Sequence, residues 1–93
     1  MKAVWNGVTL AESDDIVTVE GNAYFPAAAA VPGVLVPSAL TSVCPWKGTA
    51  HYYSVEAGGK TNADAVWYYP EPKQAAAEIK GRLAFWKGVT VSA

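Results

Sequence analysis

Three Trp-x-Gly tripeptides recur in this chain, Trp5-Asn6-Gly7, Trp46-Lys47-Gly48 and Trp86-Lys87-Gly88. Asn-Gly between two apolar runs is a strong signal for a two-residue hairpin, because a type I′ turn needs positive φ at both central positions. Residues 3–5 and 8–11 are therefore predicted to pair. Lys-Gly is a weaker form of the same signal. The first and last tripeptides continue alike, as Trp-Asn-Gly-Val-Thr-Leu and Trp-Lys-Gly-Val-Thr-Val, but the spacing is too irregular for a structural repeat. The likeness reads as shared turn chemistry.

The runs between the turns are short and β-prone. Ile16-Val-Thr-Val-Glu20 is β-branched and bounded by Asp14-Asp15 and Gly21-Asn22, so it reads as a strand. Residues 49–56 and 61–69 flank Gly58-Gly59; a tight turn there sets Ala50 opposite Trp67 and Tyr53 opposite Asp64. Ala27-Ala-Ala-Ala30 can begin a helical turn, which Pro32 and Gly33 stop. One short α-helix is predicted near residues 73–80, where Lys-Gln-Ala-Ala-Ala-Glu-Ile-Lys follows Pro70 and Pro72 and ends at Gly81. Leu83–Trp86 and Val89–Val91 close the chain as strands. The fold class is mainly β, in a single domain over 1–93.

Composition narrows the function classes. The 93 residues are 52% hydrophobic and 16% charged, a globular balance without the charge excess of disorder. A formal net charge of −1 offers no overall field to draw nucleic acid or an anionic membrane. The opening Met-Lys-Ala-Val-Trp-Asn-Gly turns polar before any signal-type apolar stretch, and no window approaches the ~20 apolar residues of a membrane helix. A single cysteine cannot form an intrachain disulfide. The expectation is a cytoplasmic protein.

Candidate chemistry concentrates in Val43-Cys-Pro-Trp-Lys-Gly-Thr-Ala-His-Tyr-Tyr53, which holds the only cysteine and the only histidine. One Cys and one His fall short of the three or four ligands of a zinc site, so neither a metal nor a cofactor is expected. Gly59-Lys60-Thr61 resembles the end of a phosphate-binding loop, yet the required earlier glycine is replaced by Ser54 and no helix follows. Asp14 and Asp15 are adjacent and would point to opposite faces of a strand, unlike the converging carboxylates of two-metal nucleotidyl transfer. His51 and Asp64 lie diagonally on facing strands, which allows a Cys44-His51-Asp64 nucleophile set; the opposing reading is a buried, unactivated thiol and a structural histidine.

Aromatic side chains are the more unusual feature: four tryptophans, five tyrosines and two phenylalanines. Adjacent tyrosines on a strand face opposite sides, so Tyr52-Tyr53 and Tyr68-Tyr69 cannot all enter one core. Some must line a groove or an interface, and both uses are open.

The ordered set Val-Trp-Asn-Gly at 4–7, Glu-Gly-Asn-x-Tyr-Phe-Pro at 20–26, Cys-Pro-Trp-Lys-Gly-Thr-Ala at 44–50, Trp-Tyr-Tyr-Pro-x-Pro at 67–72 and Ile-Lys-Gly-Arg-x-Ala-Phe-Trp at 79–86 closely resembles the bacterial family called domain of unknown function 427. The resemblance implies a small antiparallel, tent-like β fold with one short helix. The family is also labelled nucleotidyltransferase-like. The chain departs from the family pattern at Ala23 and at Ala27–Ala30, where polar residues are common. The leading reading is an aromatic groove binding a small polar or anionic ligand through Trp46, Lys47, Tyr53, Tyr69 and Glu20, with no nucleic acid or membrane partner. Lys47, in a turn, is expected to be a surface cation whose removal changes stability little. The alternatives are an enzyme, either nucleotidyltransferase-like as the family label implies or using Cys44 or Lys47 as nucleophile and His51 as base, and a homo-oligomeric assembly module with its aromatics against a twin subunit.

Overall fold

Paired left-handed residues turn the backbone at four places: Asn6-Gly7 (φ 51° and 73°), Glu20-Gly21 (53° and 78°), Gly58-Gly59 (61° and 77°) and Lys87-Gly88 (54° and 85°). Two successive positive φ values define the turn whose twist matches that of paired strands. In the computed structural model, which describes residues 1–93, the first three turns join hairpins: β1 (Lys2–Trp5) with β2 (Val8–Glu12), β3 (Val17–Val19) with β4 (Asn22–Tyr24), and, after β5 (Leu35–Cys44), β6 (Gly48–Ala57) with β7 (Lys60–Tyr68). The fourth leads from β8 (Ala84–Phe85) to β9 (Thr90–Ser92). Two of the three Trp-x-Gly tripeptides thus share their turn chemistry. The third does not, because at Trp46-Lys47-Gly48 only the glycine has positive φ.

The strands form three antiparallel sheets, ordered β2-β1-β9, β3-β4 and β5-β6-β7-β8. The mainly antiparallel β fold expected from the sequence is the one observed. Between β1 and β2 the register slips at Ala3/Val4, so that Leu10 and Ala11, neighbours in sequence, are both buried.

The β6–β7 hairpin begins in the predicted register, with Ala57 opposite Lys60 and Val55 opposite Asn62. It then shifts between Tyr53 and Val55, leaving Tyr53 opposite Val66 and Tyr52 opposite Trp67. The pairings Ala50–Trp67 and Tyr53–Asp64 are therefore corrected. Two extra residues enter β7 around Asp64, which adopts φ 56°. The neighbouring carbonyls that lose strand partners find others: Trp86 Nε1 donates to the Asp64 carbonyl at 2.6 Å, Trp86 N to that of Ala65 at 3.0 Å, and Lys87 Nζ to that of Ala63 at 3.2 Å. Strand β5 carries a matching irregularity between Pro37 and Thr41, and the Ser38 hydroxyl donates to the Asp64 carboxylate.

The four-stranded sheet separates two apolar clusters. Val55, Ala57, Val66 and Phe85 on one side join Ala3, Leu10, Ala11 and Phe25 in the larger cluster, so the two larger sheets meet there. Ala50, Tyr69 and Ala84 on the other side join Tyr24, Ala76 and Ile79. Ala76 and Ile79 come from the segment predicted as an α-helix. It is helical, but as a 3-10 segment over Gln74–Ile79 broken by a non-helical Ala76 (φ −118°, ψ 22°). The stretch between Pro72 and Gly81 is too short to repay α-helix nucleation, and burying Ala76 and Ile79 decides its geometry instead. A second 3-10 turn, Ala27–Ala29, occupies the alanine run.

The tips of two hairpins are tied together: Asn6 Nδ2 donates to the carbonyls of Ala57 at 3.0 Å and Gly58 at 3.4 Å. A Cβ added at Gly58 would lie 2.5 Å from that Nδ2, whereas one at Gly59 meets nothing within 4 Å. Both substitutions oppose a positive φ, a penalty of about 1 kcal/mol. Gly58→Ala should therefore lower unfolding free energy in denaturant melts more than Gly59→Ala. The difference should vanish in an Asn6→Ala background; equal losses in the wild-type background would show that the tip contact does not constrain Gly58.

Candidate functional site

The link Pro45–Lys47 joins β5 to β6, with Cys44 facing Gly48 across its base. A segment from far along the chain pins it. Lys73 N donates to the Lys47 carbonyl at 2.8 Å, and Lys73 Nζ donates to the Pro45 carbonyl at 2.7 Å. The turn requires Gly48 for its backbone, since its φ is 116°, a conformation that L side chains rarely adopt; a Cβ there would make only ordinary contacts with Glu71 O at 3.4 Å and Pro72 Cα at 3.6 Å. The Cys-Pro-Trp-Lys-Gly stretch is thus the piece of hairpin against which the Pro72–Lys73 backbone packs.

Held this way, Lys47 is not the surface cation expected from its place in a turn. It is only 8% exposed and is the one charged residue among the buried set. Its ammonium donates to the Glu20 carboxylate at the tip of the β3–β4 hairpin and lies 5.0 Å from the centre of the Trp46 ring. Burial pulls the Lys47 pKa down, but the Glu20 hydrogen bond, with Tyr24 and Tyr69, outweighs it and holds the group above its ordinary 10.5. Lys47 is therefore kept as an ammonium, not as the free amine a lysine nucleophile requires.

The Lys47 side chain opens onto a pocket of about 220 Å³ whose other lining residues are Tyr52, Trp67, Tyr69 and Trp86. Trp67 and Trp86 meet edge to face, with ring centres 5.9 Å apart. Most polar atoms of these walls are occupied: Trp67 Nε1 donates to Tyr24 Oη at 3.2 Å, Trp86 Nε1 to the Asp64 carbonyl at 2.6 Å, and Tyr52 Oη shares a 2.8 Å hydrogen bond with Ser42 Oγ. The Tyr69 hydroxyl makes no hydrogen bond within the protein, and since no fully buried side-chain nitrogen or oxygen lacks a partner, it faces solvent. Burial raises the Tyr69 pKa above its usual value against the opposing pull of Lys47.

Of the residues singled out in the sequence, Lys47, Tyr69 and Glu20 come together, with Trp46 along the ammonium. Tyr53 stands apart. It stacks on Tyr68 at 4.7 Å, and His51 packs against the same Tyr68 at 6.0 Å. Tyr53 and Tyr68 pack on the larger cluster, while Tyr52 and Trp67 pack on the smaller one. Cys44 is half-buried rather than buried and packs on the smaller cluster, on the opposite side of the sheet from His51. Asp64 is taken by Ser38, so the Cys44-His51-Asp64 arrangement is not assembled. Tyr52, Trp67 and Trp86 were missed as site residues. The two-residue alternation that groups Tyr52 with Ala50 and Trp67 with Tyr69 was the available signal.

Elsewhere, Asp15 pairs with Arg82 at 3.1 Å and Asp14 lies 3.9 Å from the N-terminal amine, so the acidic pair is spoken for outside the pocket. No group of three or more His, Cys, Asp or Glu side chains converges as a metal site would require, and no helix is long and apolar enough to cross a membrane. Gly59-Lys60-Thr61 forms the tip and start of β7, not a strand-to-helix loop.

Fold and site together define a small antiparallel β domain with a lysine-headed aromatic pocket. The chain belongs to the family described as Domain of unknown function (DUF427), named NTP_transf_9, whose profile matches residues 1–92. No curated protein matches it.

The two partners of the ion pair are unequally exposed, Glu20 having 55% of its side chain in solvent. Glu20→Ala strands a buried ammonium, whereas Lys47→Met leaves a carboxylate that water can solvate. Chemical denaturation should show Glu20→Ala costing about 1–3 kcal/mol and Lys47→Met markedly less. The reverse order would mean that the lysine, not its burial, holds the hairpin.

Alkaline titration supplies a separate check. Lys47, Tyr68 and Tyr69 all have folded pKa values raised above their ordinary 10.5, 10.0 and 10.0. Their contribution to stability is complete below those values and is lost as pH climbs through the raised ones. Unfolding free energy should fall as pH rises above these ordinary values, and less steeply in Lys47→Met; an unchanged slope in that variant would remove Lys47 from the effect.

Proposed function

We propose that this protein binds a small, planar, polar ligand in the pocket between Lys47 and Tyr69. The observation carrying this reading is a charged side chain sunk to 8% exposure at one end of an aromatic-walled cavity. A buried ammonium is costly to maintain, and a fold keeps one where polar recognition or a specific partner needs it. The cavity, at about 220 Å³, is smaller than the ~300–1,000 Å³ common for drug-sized ligands, which suits one or two fused rings. Trp67 and Trp86 offer apolar area, while Lys47 and Tyr69 offer donors.

A second reading, the assembly module, draws support from β5, the sheet's edge strand, where Val43 is 77% and Leu40 43% exposed. Size-exclusion chromatography separates the two: a dimer that dissociates on Val43→Lys supports assembly, and a monomer at working concentration opposes it.

Binding is measurable through the indoles, since Trp46, Trp67 and Trp86 all lie at or beside the pocket. Tyr69→Phe removes a hydroxyl that bonds nothing within the protein, so its melting temperature should match the wild type. Its affinity for a pocket ligand found by fluorescence titration should drop about fivefold, the worth of one neutral hydrogen bond near 1 kcal/mol. Unaltered affinity would place the ligand elsewhere.

A further inference from the structure

The charge that Lys47 brings to the pocket is already balanced. Lys47 carries three N–H donors; Glu20 takes one and supplies a full negative charge, leaving the remaining donors and the Tyr69 hydroxyl without a protein acceptor. An incoming carboxylate or phosphate must either displace Glu20 or lie beside it. The first separates a buried ammonium from its partner, and the second sets like charges together; both are unfavourable. A neutral carbonyl oxygen or pyridine-type nitrogen accepts from the open donors and leaves the pair intact. We infer that the pocket selects uncharged planar heterocycles or aromatic amides presenting an acceptor to Lys47 and Tyr69, with Glu20 as the residue that excludes anions. This rests on the pocket being a ligand site and narrows the expected polar or anionic ligand to a neutral one.

No other acidic side chain reaches Lys47, so Glu20 alone supplies the negative charge beside the open donors.

The test compares two isosteric pairs, nicotinamide with nicotinate and indole-3-carboxamide with indole-3-carboxylate, by indole fluorescence and calorimetry at neutral pH. The wild type should bind each amide at least about tenfold more tightly than its acid, the scale of one unfavourable charge contact. Glu20→Gln keeps an acceptor for the ammonium but drops the negative charge, so the preference should shrink or invert toward the acids. Lys47→Met, which keeps the apolar stem, should weaken the amides as well. A wild type that prefers the acids, or a Glu20→Gln variant that retains the full amide preference, overturns the inference while leaving the pocket as a binding site. If none of the four compounds perturbs the pocket indoles in any of the three proteins, both the selectivity and the binding reading fall.

Discussion

The aromatic walls of the site depend on the two residues inserted into β7 around Asp64. Without them the hairpin would continue in its starting register and set the small Ala50 against Trp67. With them Tyr52 faces Trp67, and the sheet presents a pair of large rings beside Tyr69. Because the insertion is even, the residues beyond it, Val66 to Tyr69, keep their faces, so the apolar alternation that fills both clusters resumes. The same irregularity frees backbone carbonyls that recruit Trp86 and Lys87 from the far end of the chain, and Trp86 then becomes a pocket wall. One local break in pairing therefore builds the pocket twice over, by shifting partners along the hairpin and by drawing in a wall.

The charged end of the pocket follows from a different constraint, the backbone at Gly48. Its φ of 116° is one that L side chains rarely adopt, and the Lys73 amide bonded to the Lys47 carbonyl just before it holds Lys47 where its side chain is covered. A lysine before a glycine in a turn would otherwise be a solvated charge. Covering it obliges the fold to supply a counter-charge, which comes from Glu20 on a hairpin that forms a separate small sheet. The ion pair thereby ties that sheet to the rest of the domain.

The turns were legible in the sequence because their chemistry is local: Asn-Gly and Gly-Gly specify their conformation within two residues. Strand β5 was not, since Pro37, an exposed pattern and an internal irregularity erase the alternation that marks a strand. The 3-10 segment was read as α-helical because propensity favours helix at Gln74–Ile79, while burial of Ala76 and Ile79 sets the actual geometry. At the site, Lys47 and Glu20 could be named as the few polar heads among the aromatics, and Trp46 and Tyr69 as aromatics too numerous for one core. Tyr52 lines the pocket and Tyr53 does not, because which tyrosine of an adjacent pair faces it depends on long-range packing.

The pairing of β1 with β9 sets the order of events during synthesis. The first hairpin can close as soon as residue 12 is free, but one edge of β1 has no partner until Thr90–Ser92 has been made. Throughout translation of the intervening chain, that edge offers unpaired amides and carbonyls to any neighbouring nascent strand. The strand that seals β1 is therefore made after every other strand of the domain, and a ribosome stalled shortly before it leaves a nearly complete sheet with a live edge.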